Sequence, residues 1–101
     1  MKSAAILLVL ALAALSTVAS ASQQLAQKNQ CMSCHQVERK VVGPAFKEVA
    51  KKYKGNADAE AHLIAVVKKG GKGVWGNAPM PPHPQIKDDD AKAIIGWVLS
   101  L

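Results

Sequence analysis

The sequence predicts an all-α domain of four helices. Two patterns indicate helices: apolar residues recur at three- and four-residue spacing, as they do over residues 46–53, and glycines follow such runs. No stretch shows the alternating pattern of a half-buried strand. A domain of this size buries a limited core, and the chain has only two Trp, one Tyr and one Phe. We therefore expect a bound group to supply part of the core.

The N-terminus has the layout of a secretory signal peptide. The charge of Lys2 precedes an almost purely apolar run over residues 4–15, and small residues follow up to Ala21. Because a membrane span takes ~20 apolar residues, an uncleaved anchor is the weaker alternative. We expect a signal peptide over residues 1–21, export to the periplasm, and a mature domain over residues 22–101.

Four helices are expected along the mature chain. One runs from about Gln23 into Cys34, one from Pro44 to Gly55, one from about Asp58 to Lys69, and one begins near Asp88. Proline suits the first turn of a helix and glycine the position after the last. Residues 70–86 have no apolar period and are rich in Gly and Pro. They predict a long irregular loop, and such a loop in a small domain usually has a function.

Residues 31–35 read Cys-Met-Ser-Cys-His, the C-x-x-C-H pattern of c-type haem attachment. Helical residues at i, i+3 and i+4 share one face. The thiols of Cys31 and Cys34 can therefore reach one edge of a haem and form thioethers, while the imidazole of His35 binds the iron. The chain has no other cysteine.

Three other uses of this motif carry less weight. A thioredoxin-like redox pair needs a βαβ setting, and no strand is predicted. A structural zinc site takes four ligands, and His62 and His83 do not have the spacing of a second ligand pair. A plain disulfide between the two cysteines leaves His35 unexplained and closes a loop too small to stabilise the fold much.

Met80 is the expected second axial ligand. Met1 leaves with the signal peptide, and Met32 lies between the two cysteines, where it cannot reach across the ring. Met80 follows Pro79 and precedes two more prolines, which stiffen the loop around a weak thioether ligand. A lone methionine is otherwise ordinary core filling. His83 is the alternative ligand if the loop rearranges.

Two aromatic residues have different expected roles. Trp75 either aims its indole N–H at a haem propionate or simply packs, and the two interpretations carry equal weight. Trp97 is expected to pack on the last helix, and His62 to be a structural or surface residue.

Several short stretches, in this order and at these spacings, resemble class I cytochromes c of the small bacterial type called c-551 or c-552. They are Cys-Met-Ser-Cys-His at 31–35, Val-Gly-Pro-Ala-Phe at 42–46, Gly-Val-Trp-Gly at 73–76, Pro-Met-Pro-Pro at 79–82 and Trp-Val-Leu-Ser at 97–100. The resemblance covers essentially all of residues 22–101. It implies a compact four-helix class I cytochrome c fold wrapped around one covalently bound haem c.

The resemblance also implies roles for individual residues. Cys31 and Cys34 form the thioethers, and His35 and Met80 are the axial ligands of the haem iron. The Pro44 carbonyl accepts the His35 ring N–H, which fixes the orientation of the imidazole. Trp75 contacts a propionate. Two positions depart from some relatives: His83 stands where they have Asn near the ligand sulfur, and Val66 where they have a basic residue that reaches a propionate.

A haem iron held on both faces indicates a one-electron carrier rather than an enzyme. The net charge of +6, with lysines grouped over residues 47–54 and 68–72, favours an acidic redox partner over nucleic acid. A cytochrome bc complex, a nitrite reductase or a terminal oxidase would fit, and we expect a monomer without membrane insertion. The competing functions are a haem enzyme or gas sensor, a thiol–disulfide oxidoreductase, and a subunit of a larger complex.

Overall fold

The computed structural model describes residues 18–101. The predicted signal peptide, residues 1–21, lies mostly outside them and stays a prediction. Residues 18–21 are helical and continue without a break into the first helix of the domain. Among the described residues, no helix has both the length and the apolar character needed to cross a membrane.

The described chain is helical, which confirms the all-α prediction. Helix α1 covers residues 18–28, and a short 3₁₀ turn follows at Cys31–Ser33. The other helices are α2 (Phe46–Lys52), α3 (Ala59–Lys69) and α4 (Asp88–Leu99). Residues 18–101 contain no strand, and the extended pairing there is confined to two isolated bridges, His35 with Lys40 and Gly71 with Met80.

The first expected helix begins before Gln23 and ends earlier than predicted, at residue 28. Both the backbone N–H and the side-chain amide of Asn29 donate to the Leu25 carbonyl, at 3.0 and 2.9 Å, and so end α1. Gln30 then takes a left-handed conformation, with φ 63°. The cysteines therefore lie on a separate turn, in which the N–H groups of Cys34 and His35 both donate to the Cys31 carbonyl. This single turn keeps the i, i+3, i+4 grouping that the motif requires.

Helix α2 begins at Phe46, two residues later than the proline in its expected first turn. Ala45 is extended at the N-cap and provides no side-chain hydrogen bond. Instead, the N–H groups of Phe46 and Lys47 donate to the carbonyls of Gln36 and Val37, at 2.9 and 3.0 Å. The segment after the C-x-x-C-H motif thus satisfies donors that a helix N-terminus leaves open.

Helices α3 and α4 match their predicted positions, and the irregular loop joins them. Gly70 ends α3 with φ +81°, a conformation that suits glycine at a helix C-terminus. Lys68 in the last turn of α3 forms an ion pair with Asp88 in the first turn of α4. Each charge lies at the helix end whose dipole it complements, so the pair holds the two ends of the loop together.

Helix α4 is the centre of the core and packs on both α2 and α3. Its buried residues face Phe46 and Val49 of α2 and Leu63 and Val67 of α3. Ala26 of α1 and Ile86 of the loop complete the cluster. Phe46 also meets Trp97 edge to face, with ring centroids 5.6 Å apart. The buried residues of α4 are Ala91, Ile94, Ile95 and Val98.

The position of Ile94 in this core makes its truncation costly. The residue is 4 % exposed, and removing such a side chain typically costs ~2–5 kcal/mol. We expect Ile94→Ala to lower the free energy of unfolding by about that amount, as measured by urea denaturation of the purified protein. Lys92→Ala, an exposed position on the same helix, is the matched control. Equal midpoints for the two variants would contradict this core assignment.

Candidate functional site

A deep apolar cleft opens between the C-x-x-C-H segment and the irregular loop. Its cavity volume is about 290 Å³, at the lower end of the roughly 300–1,000 Å³ that small-molecule sites occupy. One side is formed by His35, Gly43 and Pro44, the back by Tyr53, Leu63 and Val66, and the other side by Trp75, Pro79 and Met80.

The orientation of the His35 imidazole is fixed by two contacts. Its Nδ1 lies 2.8 Å from the Pro44 carbonyl oxygen. Because a carbonyl can only accept, Nδ1 carries the proton and Nε2 keeps the lone pair that a metal binds. The ring also stacks on Phe46, with centroids 4.8 Å apart and planes inclined by 20°. These contacts hold the imidazole in the wall of the cleft with the Nε2 lone pair available to bind a metal ion.

Gly43 lies directly against this imidazole. A Cβ atom built at this position would come within 2.5 Å of His35 Cε1 and 2.9 Å of Nδ1. Its backbone N–H donates to the Cys34 carbonyl at 2.8 Å, so the backbone cannot easily retreat from the ring. The close approach explains why a residue without a side chain precedes Pro44.

The two cysteines are half-buried on the turn that leads into His35. They do not line the cleft itself, but Cys34 directly precedes its histidine. Burial raises the pKa of the Cys31 thiol, and a backbone hydrogen bond offsets part of this rise. Redox-active cysteines have a lowered pKa, because the thiolate is the reactive form. Cys31 thus lacks the electrostatic signature of a thiol–disulfide oxidoreductase.

Met80 is attached to the end of α3 by a pair of backbone hydrogen bonds. Its N–H donates to the Gly71 carbonyl at 2.7 Å, and the Gly71 N–H donates to the Met80 carbonyl at 3.1 Å. Gly70 lies equally close, since a Cβ there would meet the Met80 carbonyl oxygen at 2.9 Å. The loop therefore presents Met80 to the cleft from a fixed backbone position.

Trp75 lines the mouth of the cleft and is 37 % exposed. The Lys52 ammonium lies 5.5 Å from the centroid of its ring, within the distance of a cation–π contact. Lys72 and the exposed Val74 stand beside it on the loop. The mouth of the cleft is thus apolar with positive charges next to it.

Two ring-bearing residues of the cleft wall were not assigned to the site from the sequence. His62 was expected to be structural or on the surface, and Tyr53 belonged to the apolar spacing over residues 46–53. Both line the cleft, with ring centroids 5.8 Å apart. The sequence contained one indication for His62. It lies four residues before Val66 and therefore shares a helix face with it. The resemblance placed Val66 near a propionate.

The predicted site residues thus fall into three groups. His35, Pro44, Trp75 and Met80 line one cleft, and the two cysteines lie on the adjoining turn. His83 does not line the cleft: it is half-buried, and its Nδ1 is inaccessible and lacks a hydrogen-bond partner within residues 18–101. In the same residues, no three His, Cys, Asp or Glu side chains cluster as metal ligands would.

The contact between Gly43 and His35 yields a prediction. We expect Gly43→Ala to displace the imidazole and to reduce the fraction of purified chain that carries covalent haem, measured as haem absorbance per unit of protein. Gly96→Ala is the control, because a Cβ there meets nothing within 4 Å and alanine favours a helix interior. Equal haem content in both variants would contradict a requirement for close contact at Gly43.

The chain matches known proteins over the same residues that form this site. The family model described as cytochrome c matches residues 19–101. Cytochrome c-552 of Nitrosomonas europaea is 52% identical over 83 residues, which are 82% of this chain and 81% of that protein. Cytochrome c-552 of Hydrogenobacter thermophilus is 46% identical over 94 residues, 93% of this chain and 95% of that protein.

The fold agrees with this match. The crystal structure of wild-type Nitrosomonas europaea cytochrome c552 superposes with a TM-score of 0.75 at 51% identity, over 77% of this chain and 96% of that one. The helices around an apolar cleft, and two cysteines on the turn before a histidine that keeps a free lone pair, fit a covalently bound haem. The chain belongs to the cytochrome c family, with the helical fold of the class I proteins and haem c as its cofactor.

Proposed function

We propose that the mature chain is a one-electron carrier of the bacterial periplasm whose haem iron is bound by His35 and Met80. One observation carries this proposal: the two residues line the same cleft from different segments, and each is held by hydrogen bonds of its own. His35 is fixed through the Pro44 carbonyl, and Met80 through Gly71.

The thioether bonds are assigned to Cys31 and Cys34. Both lie on the single turn that ends at His35, and both N–H groups that close this turn, those of Cys34 and His35, donate to the Cys31 carbonyl. Attachment at this turn would place one edge of the haem beside the histidine ligand. The high pKa of the Cys31 thiol, caused by its burial, is of no consequence once the sulfur is alkylated.

The bound haem supplies reversible one-electron chemistry. The protein's part is to hold the two axial side chains in place, so that little has to move when an electron arrives. Leu63 and Val66 make the back of the cleft apolar and exclude water. Methionine ligation and an apolar site both favour the reduced state. With both axial positions filled by this chain, no site is left for a substrate, which favours a carrier over a haem enzyme or gas sensor.

The proposed location rests on the N-terminal sequence, and the proposed partners rest on the surface around the mouth of the cleft. The predicted signal peptide over residues 1–21 supports export and cleavage, which would leave residues 22–101 as a monomeric carrier. Lys52 and Lys72 lie near the mouth of the cleft, beside the exposed Val42 and Val74. An apolar mouth with nearby positive charge suits brief contact with an acidic respiratory protein, such as a cytochrome bc complex, a nitrite reductase or a terminal oxidase.

The ligand assignment is tested by the visible and near-infrared spectra of the purified holoprotein. We expect the weak charge-transfer band of a sulfur–ferric iron bond in the wild type, and its loss in Met80→Ala. The midpoint potential of that variant should also fall, because the thioether favours ferrous iron. Met32→Leu is the control and should retain the band. A wild type without the band, or a Met80→Ala variant that keeps it, would exclude Met80 as ligand.

The thioether assignment is tested by denaturing the protein and measuring the haem that stays with the polypeptide. We expect Cys31→Ala and Cys34→Ala each to reduce this fraction, since each removes one of two covalent links. Ser33→Ala lies between the cysteines and should keep it. Full retention in either cysteine variant would show that the corresponding sulfur forms no bond to haem.

A further inference from the structure

His83 is a histidine that the described site does not use. It lies in the irregular loop, three residues after Met80, and its backbone N–H donates to the Val67 carbonyl at 2.8 Å. Its side-chain Nδ1 is buried and has no hydrogen-bond partner in residues 18–101. A buried polar nitrogen without a partner is unfavourable and calls for an explanation. One of the two imidazole nitrogens therefore forms no hydrogen bond with the described part of the chain.

The chain between Met80 and His83 is weakly tethered. Pro81 and Pro82 have no N–H to donate, and within residues 18–101 their carbonyls accept no backbone hydrogen bond. The backbone contacts to α3 stop at the Met80–Gly71 pair and resume with the single bond from His83 to Val67. Moving His83 while Met80 stays in place therefore breaks its hydrogen bond to α3 and the one that its carbonyl accepts from the Ile86 N–H at 3.2 Å.

His83 is also close enough to reach the cleft. Val67, to which it is tethered, directly follows Val66, and Val66 lines the back of the cleft. Three residues of extended chain span at most about 10 Å. Because Met80 lines the cleft, a swing about Met80 keeps the His83 backbone within this distance of the cleft wall, so its imidazole can reach the space that Met80 lines.

We propose that His83 is a reserve axial ligand of the haem iron: when the Met80 thioether leaves the iron, the His83 imidazole moves into the cleft and binds in its place. The inference rests on the proposed function, because it takes Met80 as the resident ligand. The exchange breaks one iron–sulfur bond and forms one iron–nitrogen bond, and both donors are neutral. No electron or proton has to be transferred.

Two other side chains on the cleft wall are less suited to this exchange. His62 lies in the first half of α3, whose helical backbone holds it on the cleft wall, whereas a loop residue can shift without unfolding a helix. Lys72 lies on the loop, but an ammonium group has no lone pair with which to bind a metal ion. His83 combines a neutral nitrogen donor with a weakly tethered backbone. Because imidazole lacks the preference of a thioether for ferrous iron, the exchanged state would have a lower potential.

The experiment compares ferric electron paramagnetic resonance and absorption spectra of holoprotein variants. We expect Met80→Ala to lack the sulfur band and yet to contain low-spin iron with two nitrogen ligands. Met80→Ala/His83→Asn should lose the low-spin signal and become high-spin. Met80→Ala/His62→Asn tests the competing imidazole and should remain low-spin. A high-spin Met80→Ala, or a low-spin signal that survives in the His83 double variant, would overturn the proposal.

A second measurement needs no change at Met80. In rising urea, we expect wild-type holoprotein to lose the sulfur band while its iron stays low-spin, and His83→Asn to pass directly from the native spectrum to a high-spin one. Identical transitions in the two proteins would reject only the proposal that His83 is a reserve ligand. A native wild type without the sulfur band would instead reject the axial assignment on which the inference rests, so the two failures are distinguishable.

Discussion

The hydrogen bond between His35 Nδ1 and the Pro44 carbonyl is the constraint around which this part of the fold is arranged. It fixes the tautomer of the imidazole. It also occupies the Pro44 carbonyl, which would otherwise be available to accept an N–H group at the start of α2. Helix α2 then begins at Phe46, and the backbone carbonyls of Gln36 and Val37 accept its first N–H groups. One contact thereby joins the orientation of the His35 imidazole to the docking of the C-x-x-C-H segment on the core.

The C-terminal end of α3 has a similar role on the opposite side of the cleft. Gly71 and Val67 accept backbone N–H groups from Met80 and His83, and Lys68 pairs with Asp88 at the start of α4. An irregular loop with few hydrogen bonds of its own thus takes its shape from one helix end. Helix α4 packs on both α2 and α3. The same core therefore holds the start of α2, beside His35, and the end of α3, beside Met80, in fixed relative positions.

Much of this organisation could be predicted from the sequence because the determinants are local. Apolar spacing and Gly70 located α3, and the prolines beside Met80 marked the loop that presents it. The break after α1 could not be predicted, since Gln30 takes a left-handed conformation without being glycine. The place of His62 in the cleft wall was missed for another reason: periodicity gives the face of a helix, but whether that face meets the core or a cleft depends on tertiary packing.

The Gly71–Met80 pair of backbone hydrogen bonds also divides the long loop into two parts, which differ in how freely their lengths can change. Closing a loop costs entropy that grows only slowly with its length. The exposed stretch over residues 72–78, closed off by this pair, can therefore gain or lose residues at small cost to the fold. The stretch after Met80 has no such freedom, because it sets the distance between the methionine and α4. Evolution can thus reshape the rim of the cleft and leave His35 and Met80 in place.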